Sequence, residues 1–181
     1  MYRNVFGGAA LGFALVGCGG ADNADSAIEE VTVEQIEEPA AAVDAPEARA
    51  TFINAQGTEI GTADLRQEGD ELLITVDLAF LQAGLRGFHI HAVGSCEAPD
   101  FASAGDHFNP TNASHGAENP QGPHAGDLED LEVETDDGTA RGTRGTSLAT
   151  LLPDQPNSIL DADGSALIVH AAEDDYESQP G

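Results

Sequence analysis

The chain has 181 residues and a formal net charge of −27 at pH 7, with no lysine and arginine only at positions 3, 49, 66, 86, 141 and 144. A surface this acidic repels nucleic-acid phosphates and anionic lipid headgroups, which excludes charge-driven binding to either. A saline habitat and simple solubility both account for such a composition.

Residues 1–17 have the form of a secretory signal: Arg3 lies in a short positive start, and an apolar run from Val5 to Val16 follows that is too short to span a bilayer. Leu15-Val16-Gly17-Cys18 closes that run and resembles a bacterial lipobox, in which the cysteine becomes the lipid-modified first residue of the mature protein. Ordinary cleavage nearby, or a Cys18 thiol that is free or paired with Cys96, are the alternatives. Two or more acyl chains at Cys18 would anchor the chain firmly to a membrane. Gly19, in place of an aspartate, points to the outer membrane, and the expected location is periplasmic or cell-surface.

Residues 18–48 then read as a lipid-attached tether. From Gly20 to Ala48 the chain carries acidic residues, two prolines and no basic residue, too little apolar surface to offset the entropy of ordering it. A helix over Ala27–Glu38, through Ile28, Val31 and Ile36, is the competing reading.

Residues 49–181 are long enough for one domain with its own core. Short runs with partial alternation predict strands over 49–55, 59–66 and 71–80, clearest in Leu72-Leu73-Ile74-Thr75-Val76-Asp77-Leu78. Further strands are expected over 88–93, 128–134, 140–148 and 166–171, with a hairpin signal at Asp136-Asp137-Gly138. Many short strands without amphipathic helices make an all-β sandwich or barrel. The connection from Gly94 to Gly126 is too long for a mere linker, and loops of that size are usually functional.

All six histidines fall in this domain. His89 and His91 flank Ile90 on a predicted strand, so their side chains leave one face about 7 Å apart and can share a metal. His170 ends another predicted strand and supplies a third candidate ligand. His107, His115, His124 and Asp127 follow one another through a Gly/Pro-rich stretch that can fold back on itself. Three histidines and a carboxylate make a closed tetrahedral set suited to zinc, and the lack of a thiolate ligand excludes zinc-ribbon chemistry.

Together, Gly87-Phe88-His89-Ile90-His91, Gly105-Asp106-His107-Phe108-Asn109-Pro110, His115-Gly116, His124-Ala125-Gly126-Asp127-Leu128 and Leu167-Ile168-Val169-His170-Ala171 resemble the copper/zinc superoxide dismutase family, especially its bacterial secreted members. The resemblance implies a Greek-key β-barrel with a long metal-binding loop. It implies copper held by His89, His91, His107 and His170, zinc held by His107, His115, His124 and Asp127, and His107 bridging both metals as the catalytic imidazolate. Asp174 matches the family carboxylate that hydrogen-bonds a histidine of each metal, here His89 and His115. Superoxide would be the substrate, dismuted to dioxygen and hydrogen peroxide. The family includes dimers and monomers, so the oligomeric state stays open.

Family members continue past the segment matching Asp174–Gly181 with a glycine-rich loop, an arginine beside copper, a cysteine and a last strand. Compared with them this sequence reads as C-terminally short, with the last strand missing and Cys96 without its family partner. Without the arginine, the steering of an anionic substrate would weaken. Two readings follow: a dismutase, or a dismutase-like module that binds metal with little or no turnover. A structural domain with incidental histidines is the third; copper-dependent superoxide removal separates the first from the second, and failure to bind either metal would leave the third.

Overall fold

The computed structural model describes residues 47–134 and 137–178; the expected signal, the expected lipidation site Cys18, most of the expected tether and Asp136 of the hairpin signal lie outside the described residues. The strands are β1 (Glu47–Ile53), β2 (Glu59–Glu68), β3 (Glu71–Leu78), β4 (Gly84–Arg86), β5 (Phe88–His91), β6 (Leu131–Val133), β7 (Ala140–Thr146) and β8 (Ala166–Val169). A single 3-10 turn at Ala102–Ala104 is the only helical element among the described residues.

Alternation builds the largest sheet, antiparallel in the order β1-β2-β3-β7. Leu72, Ile74, Val76 and Leu78 of β3 point inward and are fully buried, and β2 adds Ala63 and Leu65 opposite Val76 and Ile74. Each such Leu, Ile or Val contributes roughly 1.5–3 kcal/mol through burial. The outward positions of the same strands carry polar groups such as the Thr75–Thr143 hydroxyl pair at 2.9 Å.

Gln67 breaks the apolar pattern at a buried position of β2, and its amide is satisfied at both ends. Nε2–H donates to the Gly69 carbonyl at 3.0 Å, while Oε1 accepts from the Thr150 hydroxyl at 2.9 Å and the Leu151 N–H at 3.0 Å. That network ties the chain after β7 to the sheet, so that Ala149, Leu151 and Ile159 join the core.

Two short antiparallel ladders, β4 with β6 and β5 with β8, complete the described strands. Phe88 and Ile90 of β5 are fully buried in the same core, with Phe88 tilted against Phe52 of β1 at a ring separation of 6.5 Å. Among the described residues β1 pairs only with β2, and β8 only with β5.

Several strands are shorter than the sequence suggests. β3 stops at Leu78 because Phe80 turns into the left-handed region (φ 62°). β5 stops at His91, where the next N–H groups, of Ala92 and Val93, bond to carbonyls of the long loop. β4 has no counterpart in the sequence reading: its one large apolar residue, Leu85, is exposed. The turn at Gly138 (φ 68°) is closed by the Glu134 N–H donating to the Thr139 carbonyl at 2.8 Å, but it joins strands of different sheets rather than a paired hairpin.

Candidate metal centre

The β5 backbone assembles the site. The Ile90 N–H donates to the Gly126 carbonyl at 2.9 Å, and the Ile90 carbonyl accepts from the Phe108 N–H at 2.8 Å. Two distant parts of the loop are thereby laid along one short strand, placing His107 opposite His91 and Asp127 opposite His89. Phe108, Ala125 and Leu128 are buried in the core and fasten these segments from below. Gly126 permits the approach, since a Cβ there would stand 2.2 Å from the Ile90 carbonyl oxygen. From the other side, the His170 N–H donates to the Gly87 carbonyl at 2.8 Å, which brings the end of β8 alongside. Arg86 donates to the carbonyls of Gln82, Ala83 and Ala171 and so holds the residue that follows His170.

Two groups of possible ligands result. His89, His91, His107 and His170 form one; His107, His115, His124 and Asp127 form the other; within each group the ligand atoms lie within 4.8 Å of one another. His107 belongs to both, with ring separations of 4.1 Å from His89, 4.8 Å from His91 and 5.1 Å from His115.

The hydrogen bonds fix which nitrogen His91 and His89 present. His91 Nδ1 sits 2.7 Å from the Gly105 carbonyl, an acceptor only, so Nδ1 carries the proton and the Nε2 lone pair faces His170 Nε2 at 3.3 Å. His89 Nε2 lies 2.7 Å from Asp174 Oδ2, which leaves Nδ1 buried and without a hydrogen-bond partner. His115 Nε2 lies 2.9 Å from Asp174 Oδ1, and its Nδ1 is 3.1 Å from Asp127 Oδ2. One carboxylate, Asp174, thus spans a histidine of each group.

Asp127 is the hub of the second group. Its Oδ1 is 2.8 Å from His107 Nδ1 and 3.2 Å from His124 Nδ1, while Oδ2 accepts the N–H groups of Gly116 at 2.8 Å and His124 at 2.9 Å. Burial would raise its pKa, but these hydrogen bonds outweigh burial and hold the carboxyl well below the usual carboxylate range. Burial, then the neighbouring imidazoles, push His89 and His170 down to about 4, and burial also lowers His91. In His115 the lowering by burial is overcome by Asp174 and Asp127, and its pKa is raised. At neutral pH His89, His91 and His170 are therefore held uncharged, the form that binds metal.

The groups differ in access. An open cavity of about 270 Å³ is lined by His89, His107, His115 and His170, and also by Glu173, Asp174 and Asp175. His124 and Asp127 lie behind it and are almost fully buried. A larger cavity, about 550 Å³, runs along β1 and the start of β8 and touches none of the histidines. The smaller cavity is the one relevant to chemistry, because four of the histidines line it.

Residues 59–181 match the family model described as copper/zinc superoxide dismutase. A curated relative named superoxide dismutase [Cu-Zn] 1, from Aquifex aeolicus, is 39% identical over 132 residues, covering 72% of this chain and 78% of that protein. The chain belongs to the copper/zinc superoxide dismutase family. The superoxide dismutase-like protein YojM of Bacillus subtilis is 42% identical over 131 residues, covering 71% of this chain and 66% of that protein. The crystal structure of a mutant of a SOD-like protein from Bacillus subtilis superposes with a TM-score of 0.70 at 40% identity, covering 73% of this chain and 88% of that one. The all-β architecture is that of this family.

Copper and zinc are the metals of the superoxide dismutase family, and the residues present suit them. The unpartnered, buried Nδ1 of His89 is an acceptor that a metal ion would satisfy. An open set of imidazoles suits copper, and a closed set of three histidines and a carboxylate suits zinc. Sequence reasoning missed Gly105, whose carbonyl sets the His91 tautomer. It also missed Asn109, whose amide bonds both the N–H and the carbonyl of Ala113 and pins the loop before His115. The carbonyl of a glycine leaves no trace in sequence; Asn109 before Pro110 is an ordinary turn signal. Among the described residues Cys96 is a free, exposed thiol.

Proposed function

We propose that this chain dismutes superoxide: two superoxide anions and two protons become dioxygen and hydrogen peroxide. Copper is held by His89, His91, His107 and His170, and zinc by His107, His115, His124 and Asp127. The observation that carries the reading is His107, one imidazole shared between an open group and a closed one. When bound, copper supplies a one-electron couple that successive superoxide anions reduce and reoxidise, and zinc a redox-inert positive charge.

The chain's own residues do the rest. Asp127 and the closed group hold His107 by Nδ1, which leaves Nε2 toward the open group as the atom that takes up and returns a proton in each cycle. Gly105 and Asp174 lock His91 and His89 in single tautomers, so their free nitrogens face inward without reorganisation. The cavity over His170 and His107 is ample for a diatomic anion.

A second reading is a metal-binding module with little turnover. Glu173, Asp174 and Asp175 line the cavity, and among the described residues no arginine lines it, so their charges oppose the approach of an anion. The deciding experiment is superoxide removal by the chain reconstituted with copper and zinc, alongside His107→Ala. Fast copper-dependent removal that the variant loses supports the dismutase; tight metal binding with little removal supports the module.

In this reading the enzyme works outside the cytoplasm, anchored by lipid at Cys18. Mass spectrometry of the mature protein tests this: a diacylated Cys18 at its N-terminus supports it, and an unmodified Cys18 removes it.

A further inference from the structure

Asp174 lies in an acidic run, Glu173-Asp174-Asp175, whose charges repel one another and favour solvent. Its carboxylate is nevertheless turned inward, with a side-chain exposure of 5%, between His89 and His115. Something must hold the segment there. Asp130, buried to 8% exposure just before β6, takes the Asp174 N–H on both carboxylate oxygens at 3.3 Å. The Asp130 N–H donates to the Tyr176 hydroxyl at 2.9 Å. Arg144 in turn donates to the Asp130 carbonyl, with Nε at 3.0 Å.

Tyr176 is fixed at its backbone as well. It adopts a left-handed conformation (φ 58°), its N–H donates to Asp174 Oδ1 at 2.8 Å, and its carbonyl accepts from the Glu118 N–H at 3.0 Å. The carbonyl rests on Gly116, where a Cβ would come within 1.8 Å, so the residue following His115 has to be glycine for this contact to form. The segment carrying Asp174 is thus gripped from β6 and from the loop that carries His115.

We propose that Asp130 and Tyr176 are positioning residues: together they hold the 173–178 segment so that Asp174 fixes His89 and His115 simultaneously, one histidine in each metal group. The inference rests on the metal-site reading above and adds two residues to it. Neither is itself a candidate metal ligand; both side chains act through Asp174, and the Tyr176 carbonyl also meets the loop that carries His115. Asp130 carries a negative charge next to Asp174 although an amide oxygen would accept the same N–H, so the position should tolerate asparagine and not alanine.

The test uses the full chain and its Asp130→Ala, Asp130→Asn, Tyr176→Phe and Asp174→Ala variants. Zn(II) affinity is measured by chelator competition, and the imidazole N–H signals of His89 and His115 by NMR in the metal-free protein. Removing such an outer partner is expected to weaken zinc binding by about 10- to 100-fold in Asp130→Ala. Both imidazole N–H signals should broaden into water exchange. Asp130→Asn should restore affinity and signals, Tyr176→Phe should fall between, and Asp130→Ala should add nothing once Asp174 is alanine. If Asp130→Ala does not fold, the Asn and Phe variants decide.

Affinities and signals within about twofold of the parent in Asp130→Ala and Tyr176→Phe overturn the inference. So does an Asp130→Ala loss that persists undiminished in the Asp174→Ala background, because that is a general structural effect. A parent chain that binds zinc yet removes no superoxide defeats the catalytic reading alone; one that binds no zinc defeats both.

Discussion

In β3, Leu72, Ile74, Val76 and Leu78 are buried against one another and against β2, while the loop from Gly94 to Asp127 buries histidines, an aspartate and backbone groups hydrogen-bonded to them. The first region is stabilised by removal of apolar surface from water, which needs no partner beyond the chain. The second is a polar cluster whose nitrogen and oxygen atoms converge on one another, an arrangement that costs free energy unless every group is satisfied. Asp127 meets part of that need, its carboxylate lying within hydrogen-bonding distance of the same imidazoles a cation would join. The sheet should therefore be indifferent to metal, and the loop should depend on it.

The sharpest break in that comparison is at His107. Replacing it with alanine removes a ligand from both groups and should reduce superoxide removal by at least about 10²-fold. Circular dichroism of the same variant should keep the signature of the sheet. Ile74→Ala attacks the other region: it should cost about 2–5 kcal/mol in denaturant unfolding. Zinc affinity of the folded Ile74→Ala chain should stay at the parental value.

Chelation of zinc should speed amide hydrogen exchange across 105–127, with the N–H groups of Gly116 and His124 among the first to respond because both depend on Asp127. Exchange in β2 and β3 should not change. Equal acceleration in sheet and loop would show the two regions to be one cooperative unit.

The smallest effect is pH dependence of the metal-free chain. His89 and His170 titrate near 4 in the fold against about 6.5 when unfolded, so the unfolded chain binds protons first as pH falls. Their contribution to stability is complete above 6.5 and declines toward 4. His91 acts in the same direction, whereas His115, with a raised pKa, contributes stability in acid that is lost as pH rises. Thermal unfolding midpoints between pH 7 and pH 4.5 should fall, and bound zinc, which excludes protons from its histidine ligands, should make that fall steeper.

The same contrast explains what could be read from the sequence. β3 announces itself because alternation along a strand maps directly onto burial. His89 and His91 share a face by the same rule, and the Gly/Pro-rich spacing of His107, His115, His124 and Asp127 suggests a loop folded on itself. β4 has no such pattern, since Gly84 and Leu85 are exposed. Strand ends were overrun where the chain leaves the ladder for loop carbonyls, as at Ala92 and Val93. Asp130 and Tyr176 were invisible because their meaning lies in a contact across 46 residues of chain. Nothing local distinguishes Asp130 from the acidic residues around it.

The most direct test of the account titrates Cu(II) into the zinc-loaded chain and follows superoxide removal at each addition. Removal should be absent without copper, rise in proportion to copper bound and stop rising at one copper per chain. A zinc-loaded chain that removes superoxide without copper, or a copper-saturated one that removes none, would contradict the assignment of the open histidine group as the redox site.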